Sequence, residues 1–156
     1  MSGTNAKKSE APESFSKACN SGSMDGCVHL RILYAQGNGV TPDFDKANGL
    51  FKTACEKGHS AGCSNLGPMH IQGKGVVANS AKAREYLAKA CDGNDADGCF
   101  NVGLLYLQGM GGPVDYEKAP VFLAKACDAG DASGCTSLGV LQMEAEKASS
   151  DNGQKP

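Results

Sequence analysis

Eight cysteines at regular spacing divide the chain into four similar units. The two cysteines of each pair are 8 residues apart, and each pair recurs after 36 residues. The pairs are Cys19 and Cys27, Cys55 and Cys63, Cys91 and Cys99, and Cys127 and Cys135. Alignment on these pairs gives the units 7–42, 43–78, 79–114 and 115–150. The fold must therefore be built from an internal repeat.

The first half of each unit carries apolar residues at helical spacing. In the third unit these residues are Ala83, Leu87 and Ala90, followed at once by Cys91. Spacings of i, i+4, i+7 and i+8 are typical of the buried face of an amphipathic helix. Residues suited to an N-cap begin the last three units, namely Asp43, Asn79 and Asp115. The pattern predicts a first helix in each unit.

A second helix is predicted in the second half of each unit. In the first three units it ends at a glycine that suits a left-handed C-cap, namely Gly37, Gly73 and Gly109. A single helix pair cannot bury its apolar stripe, so neighbouring pairs must stack to complete the core. We therefore predict an all-α fold, an α-solenoid of four antiparallel helix pairs. The expected limits are one solenoid domain at 7–150, a flexible N-terminus at 1–6 and a disordered tail at 151–156.

The cysteine spacing favours one disulfide in each unit. No CxxC motif occurs, and three histidines cannot complete four tetrahedral sites, so no metal site is predicted. Residues eight apart on a continuous helix lie ~12 Å apart, whereas a disulfide needs Cα atoms within ~7 Å. The chain must therefore reverse between the two cysteines, and the glycine-rich segments between them permit this. Reduced thiols buried as small apolar groups remain the alternative.

Charge and hydropathy exclude several classes of partner. The net charge is −2 without a basic block, so no nucleic acid partner is expected. The longest nearly apolar run, Val102 to Leu107, has 6 residues, far fewer than the ~20 that span a bilayer. Four disulfides would indicate an oxidising compartment, although residues 1–14 show no apolar stretch and no signal peptide is predicted.

The sequence KAREYLAKACDGNDADGCFNVGLLYLQG, at residues 82–109, resembles a Sel1-like repeat, a relative of the tetratricopeptide repeat. The paired cysteines make the chain similar to the cysteine-rich group typified by the Helicobacter cysteine-rich proteins. That resemblance implies two antiparallel helices joined by a disulfide in each repeat. It also implies a secreted or periplasmic location. A cysteine-rich assembly factor of the mitochondrial intermembrane space has a similar design and gives the alternative location.

The leading functional hypothesis is a scaffold that binds a protein or peptide in a concave groove. Stacking brings equivalent positions into rows, and two rows are candidates for binding. The first is a lysine row on the first helices, Lys46, Lys82 and Lys118. The second contains Asn65 and Asn101 on the second helices. A solvated face for the lysines, and hydrogen bonds from helix to loop for the asparagines, are the alternative interpretations. The protein is expected to be a monomer.

No catalytic residues and no cofactor are predicted. Ser60 lies in a GHSAG string that matches a hydrolase motif, but Ala96 and Ala132 occupy the same position in later units, so the repeat explains it. The resemblance implies two alternative functions. One is penicillin binding with weak β-lactamase activity, for which a β-lactam-like or peptidoglycan-related molecule would be the ligand. The other is assembly of a respiratory complex in the mitochondrial intermembrane space.

Two departures from the repeat predict local differences in packing. Arg31 stands where the later units have Gly67, Gly103 and Gly139. Because a glycine permits close approach of two helices, we expect the first unit to pack differently. Pro68 lies inside a predicted helix, where proline costs ~3 kcal/mol or kinks the helix.

Overall fold

The computed structural model describes residues 3–36 and 43–153, which form eight α-helices and contain no strand. The helices are α1 (Gly3–Asn20), α2 (Met24–Gln36), α3 (Phe44–Glu56), α4 (Ser60–Gln72), α5 (Ser80–Asp92), α6 (Ala96–Gln108), α7 (Lys118–Asp128) and α8 (Ala132–Gly153). Odd-numbered helices are the first helices of the repeat and even-numbered helices are the second. The predicted α-solenoid of four helix pairs is confirmed.

Polar side chains at the predicted positions cap the first helices. Asp43, Asn79 and Asp115 each accept a hydrogen bond from the backbone N–H three residues later, at 2.9, 3.0 and 2.8 Å. Each bond satisfies one of the N–H groups that a helix start leaves without a partner. Asp115 caps the turn that leads into α7, whose first helical residue is Lys118.

Glycines end two of the second helices as predicted. Gly73 and Gly109 adopt the left-handed conformation, with φ of 69° and 66°, which costs least without a Cβ atom. Gly37, the third predicted C-cap, lies outside the described residues. Pro68 lies within α4, and the helix continues past it to Gln72.

One disulfide joins the two helices of every repeat. The pairs Cys19–Cys27, Cys55–Cys63, Cys91–Cys99 and Cys127–Cys135 have Cα–Cα distances of 4.5, 4.7, 4.4 and 4.5 Å. The chain reverses between the two cysteines, so the helices of a pair run antiparallel. The predicted pairing is therefore confirmed. The core around these disulfides consists mainly of alanine, leucine and cysteine side chains.

Successive repeats stack through a leucine that lies against a glycine. Leu87 of α5 contacts Gly67 of α4, and Leu123 of α7 contacts Gly103 of α6 in the same way. A side chain at either glycine would collide with the leucine, so helix approach at these interfaces depends on glycine. Arg31 is exposed on α2, and among the described residues α2 packs less extensively on α3 than α4 does on α5. The different packing expected for the first unit is therefore observed.

The terminal helices extend beyond the repeat as the sequence defines it. α1 begins at Gly3, and α8 continues to Gly153. The expected limits of a flexible N-terminus at 1–6 and a disordered tail at 151–156 stay predictions. None of the helices in the described segments has the length and apolarity needed to cross a bilayer.

Candidate functional site

Two equivalent grooves lie between successive first helices, each with a volume of about 200 Å³. Groove 1 lies between α1 and α3, and groove 2 lies between α3 and α5. Groove 1 is lined by Pro12, Glu13, Ser16, Lys17, Tyr34, Lys46 and Leu50. Groove 2 is lined by Asn48, Gly49, Lys52, Leu66, His70, Val76, Lys82 and Tyr86. Most of these positions correspond after a shift of 36 residues, so the repeat generates the same depression twice.

An aromatic contact connects two of the second helices, α4 and α6, with the first helix that follows each. His70 of α4 stacks on Tyr86 of α5, with ring centroids 5.3 Å apart. Tyr106 of α6 stacks on Phe122 of α7 at 5.4 Å, with the two rings inclined by 7°. Such pairs add to the stability gained from burial. The His70–Tyr86 pair lies in groove 2, where both residues are part of the lining.

The three lysines of the predicted row lie at equivalent places in the first turns of α3, α5 and α7, and all three are exposed. Lys46 lines groove 1 and Lys82 lines groove 2. The Lys118 ammonium lies 3.9 Å from a carboxylate oxygen of Asp115 and 5.7 Å from the centroid of the Tyr106 ring. The structure therefore places each lysine beside a junction between repeats.

Two buried polar side chains line groove 2. Asn48 is 6% exposed and donates its amide Nδ2–H to the carbonyl of Lys74 at 2.8 Å. Its Oδ1 atom, and the Nδ1 atom of His70, have no hydrogen-bond partner among the described residues. Burial, together with the positive charge of Lys82, lowers the pKa of His70, and a hydrogen bond to the backbone of Val77 opposes this shift. Neutral His70 is therefore the favoured form in the fold.

Neither of the two predicted asparagines, Asn65 and Asn101, is among the residues that line groove 1 or groove 2. Asn65 is buried and donates its Nδ2–H to the carbonyl of Ala61 at 2.7 Å, within its own helix. It lines a separate cavity of about 310 Å³ between α2 and α4, together with Tyr34 and Met69. Asn101 lies half-buried on α6. The contact made by Asn65 is a local hydrogen bond of the kind that short polar side chains make inside helices.

Arg84 is a structural residue that the sequence analysis did not single out. Its buried guanidinium donates hydrogen bonds to the carbonyls of Leu105 and Met110, at 3.0 and 3.1 Å. The guanidinium carbon also lies 4.1 Å from the centroid of the Tyr106 ring. Asn48 makes the equivalent bond one repeat earlier, because Lys74 precedes Met110 by 36 residues. Both side chains hold the loop after a second helix against the next first helix.

The row Leu50, Tyr86 and Phe122 was also missed, although its members recur every 36 residues and the signal was therefore present in the sequence. Within the described segments, no cluster of three or more His, Cys, Asp or Glu side chains is arranged to hold a metal ion. The cysteines are all paired in disulfides. The side chains that line the grooves offer hydrogen bonding, aromatic contact and positive charge, with one carboxylate, Glu13, in groove 1.

The Sel1 repeat pattern matches residues 32–59, 60–95 and 96–131, which together make up more than half of the chain. The chain therefore belongs to the Sel1 repeat family. Cysteine-rich protein B of Helicobacter pylori is similar over its whole length, with 30% sequence identity, 88% of this chain covered and a TM-score of 0.78. No curated protein matched the chain.

Two longer proteins share the fold. A Sel1 repeat protein from Oxalobacter formigenes is 26% identical with a TM-score of 0.69, over 77% of this chain and 49% of its own. A protective antigen of uropathogenic Escherichia coli is 27% identical with a TM-score of 0.69, over 80% of this chain and 27% of its own. The chain thus spans about half of the first protein and about a quarter of the second. The four disulfides, together with the likeness to the Helicobacter protein, indicate an oxidising, extracytoplasmic compartment.

Proposed function

We propose that the protein is a scaffold that binds a peptide segment of a partner protein along the face formed by its first helices. The observation that carries this proposal is the recurrence of the same groove between α1 and α3 and between α3 and α5, each with a lysine at the equivalent place. A repeated surface suits an extended ligand, because successive parts of the ligand meet similar chemistry. A secreted or periplasmic location and a solenoid domain over 7–150 belong to the same proposal.

The side chains of groove 2 favour an acidic segment as the ligand. Lys52 and Lys82 are exposed at its rim, and no acidic side chain lines it. Half-buried Tyr86 offers an aromatic surface beside these cations. Charge complementarity of this kind contributes mainly to specificity and to the rate of association. Groove 1 is less selective, since Glu13 lies there with Lys17 and Lys46.

The proposal is tested with a phage library of random linear peptides selected on the oxidised protein. Peptides that are enriched are synthesised, and their dissociation constants are measured by fluorescence anisotropy. The groove variant carries Lys46→Glu and Lys82→Glu. The control variant carries Lys57→Glu and Lys147→Glu, which change the net charge equally at exposed positions that do not line either groove.

We expect the enriched peptides to be acidic, and we expect the groove variant to weaken their binding by about tenfold or more. The control variant should weaken it much less, since distant exposed charges are screened by salt. Failure to enrich any peptide would contradict the proposal. Equal weakening by the two variants would show that binding follows net charge and does not use the grooves.

A further inference from the structure

The outer face of α8 carries the features that α4 and α6 use to bind the next repeat. Gly139 is the equivalent of Gly67 and Gly103, each of which lies under a leucine of the following helix. A Cβ atom at Gly139 would meet no atom within 4 Å. The space above this glycine, which we call the notch, receives a leucine at Gly67 and Gly103. At Gly139 of the fourth repeat the notch is empty.

Apolar side chains around this notch are more exposed than their equivalents in the second and third repeats. Leu66 and Val102 are 2% and 0% exposed, whereas Leu138, at the same position of the repeat, is only partly buried. Val140 and Met143 are 48% and 69% exposed. A groove of about 390 Å³ between α7 and α8 lies beside them. The face of α8 around Gly139 is therefore partly apolar and exposed.

The first helix of the chain carries the matching residues. Phe15 of α1 stands at the position of Leu87 and Leu123, the residues that fill the notches of α4 and α6. It is only partly buried. Ser14 stands at the position of Tyr86, which stacks on His70. The residue at the His70 position in the fourth repeat is Gln142. A contact between α8 and a second copy of α1 would therefore place polar Ser14 beside polar Gln142, where the inner repeats have two stacked rings.

We propose that α8 of one copy stacks on α1 of a second copy, with Phe15 of the second copy lying over Gly139. This contact continues the interface by which α5 packs on α4 and α7 packs on α6, with the same residue positions in contact. Because the two surfaces differ, the contact is head-to-tail and can add further copies. The proposal departs from the monomer expected from the sequence, and it does not depend on the proposed peptide binding.

The decisive variant is Gly139→Leu, which fills the notch. Since a Cβ atom there meets no atom within 4 Å, and leucine favours helix more than glycine does, the variant should fold at least as well as the wild type. The matched control is Gly49→Leu on α3, because Gly49 is also helical and an added Cβ atom there also meets no atom within 4 Å. Circular dichroism confirms that both variants are helical.

Sedimentation velocity over a wide range of concentration measures the self-association of the oxidised protein. We expect the wild type and Gly49→Leu to associate as concentration rises. Gly139→Leu should raise the dissociation constant by about tenfold or more, because its side chain excludes Phe15 of the second copy. Amide hydrogen exchange should show that α8 near Leu138 gains protection with concentration in the wild type.

Three results would overturn the proposal. The first is a wild type that remains a monomer at every concentration. The second is association that Gly139→Leu leaves unchanged, which would place the contact on another surface. The third is equal weakening by Gly139→Leu and Gly49→Leu. In each case the open notch of α8 would have no role in assembly.

Discussion

Leu123 of α7 lies against Gly103 of α6, so closely that a Cβ atom at residue 103 would come within 2.9 Å of the leucine Cδ2 atom and 3.0 Å of Cγ. Leu123 is fully buried. This contact allows α6 of the third repeat and α7 of the fourth repeat to pack closely. The same glycine position in the last repeat, Gly139, has no neighbour within 4 Å.

Alanine substitutions at these two glycines should therefore have opposite effects on stability. Gly103→Ala should lower the free energy of unfolding by about 1–2 kcal/mol, because overpacking outweighs the gain in helix propensity. Gly139→Ala should raise it by about 0.5–1 kcal/mol, because only the propensity changes. Urea unfolding of dilute samples followed by circular dichroism gives both values. Equal effects at the two positions would mean that helix approach does not depend on Gly103.

The disulfides should differ in their ease of reduction according to their place in the stack. Cys91 and Cys99 are buried, whereas Cys127 is half-buried and Cys135 is exposed. Thiol–disulfide exchange requires access of the attacking thiolate to a sulfur atom. We expect a mild reductant to open Cys127–Cys135 first. Alkylation of the new thiols at successive times, followed by peptide mapping, gives the order. Earlier modification of Cys91 and Cys99 would contradict the expectation.

Much of this architecture follows from spacing that can be read in the sequence. Cysteines eight apart require a chain reversal, and the recurrence after 36 residues turns one helix pair into four. The caps at Asp43 and Asn79 could also be predicted, because Asp and Asn at the start of a helix usually accept a hydrogen bond from a backbone N–H of the first turn. Gly67 and Gly103 were identified as positions of close approach, although the leucines that contact them became apparent only in the fold.

The polar interior could not be predicted in the same way. Asn48 and Arg84 share one position of the repeat, yet they differ in size and charge, so no pattern connects them. Their common role depends on the backbone carbonyls of Lys74 and Met110, whose orientation is set by the folded loops. The position of Asn65 outside the two grooves likewise depends on the rotation of α4 about its axis. Repeat spacing determines which positions are equivalent, but it does not determine which backbone carbonyl accepts a hydrogen bond from a given side chain.

Replacement of Arg84 by lysine should test its role in holding the loop. Arg84→Lys keeps the charge but cannot reach the carbonyls of Leu105 and Met110 together, since the guanidinium donates in a fixed planar geometry. We expect the free energy of unfolding to fall by about 2–3 kcal/mol, because buried hydrogen bonds to a charged group are lost. Arg31→Lys, at an exposed site, should change it by less than about 0.5 kcal/mol. Similar losses in the two variants, measured by urea unfolding, would argue against a role for the loop contacts.

The stability of the fold should depend on pH through His70. The folded protein holds the pKa of His70 below its ordinary value of 6.5, through burial first and the charge of Lys82 second. Tyr86 stacks on the ring, and Asn48, Lys52 and Lys82 line the same groove. Among the described residues, no acidic side chain lines this groove to offset the lysines.

The sign of the effect follows from proton linkage. Well above pH 6.5 the imidazole is neutral in both the folded and the unfolded state, so its contribution to stability is complete. As the pH falls below that value, the unfolded chain binds a proton before the folded chain does, and stability declines until the folded pKa is passed. We expect the free energy of unfolding to be lower at about pH 5 than at about pH 7.5. His70→Tyr, which restores the residue found at positions 34 and 106, should reduce that difference while keeping an aromatic ring against Tyr86. A pH dependence that is the same in His70→Tyr and in the wild type, measured by urea unfolding at both pH values, would exclude His70 as its source.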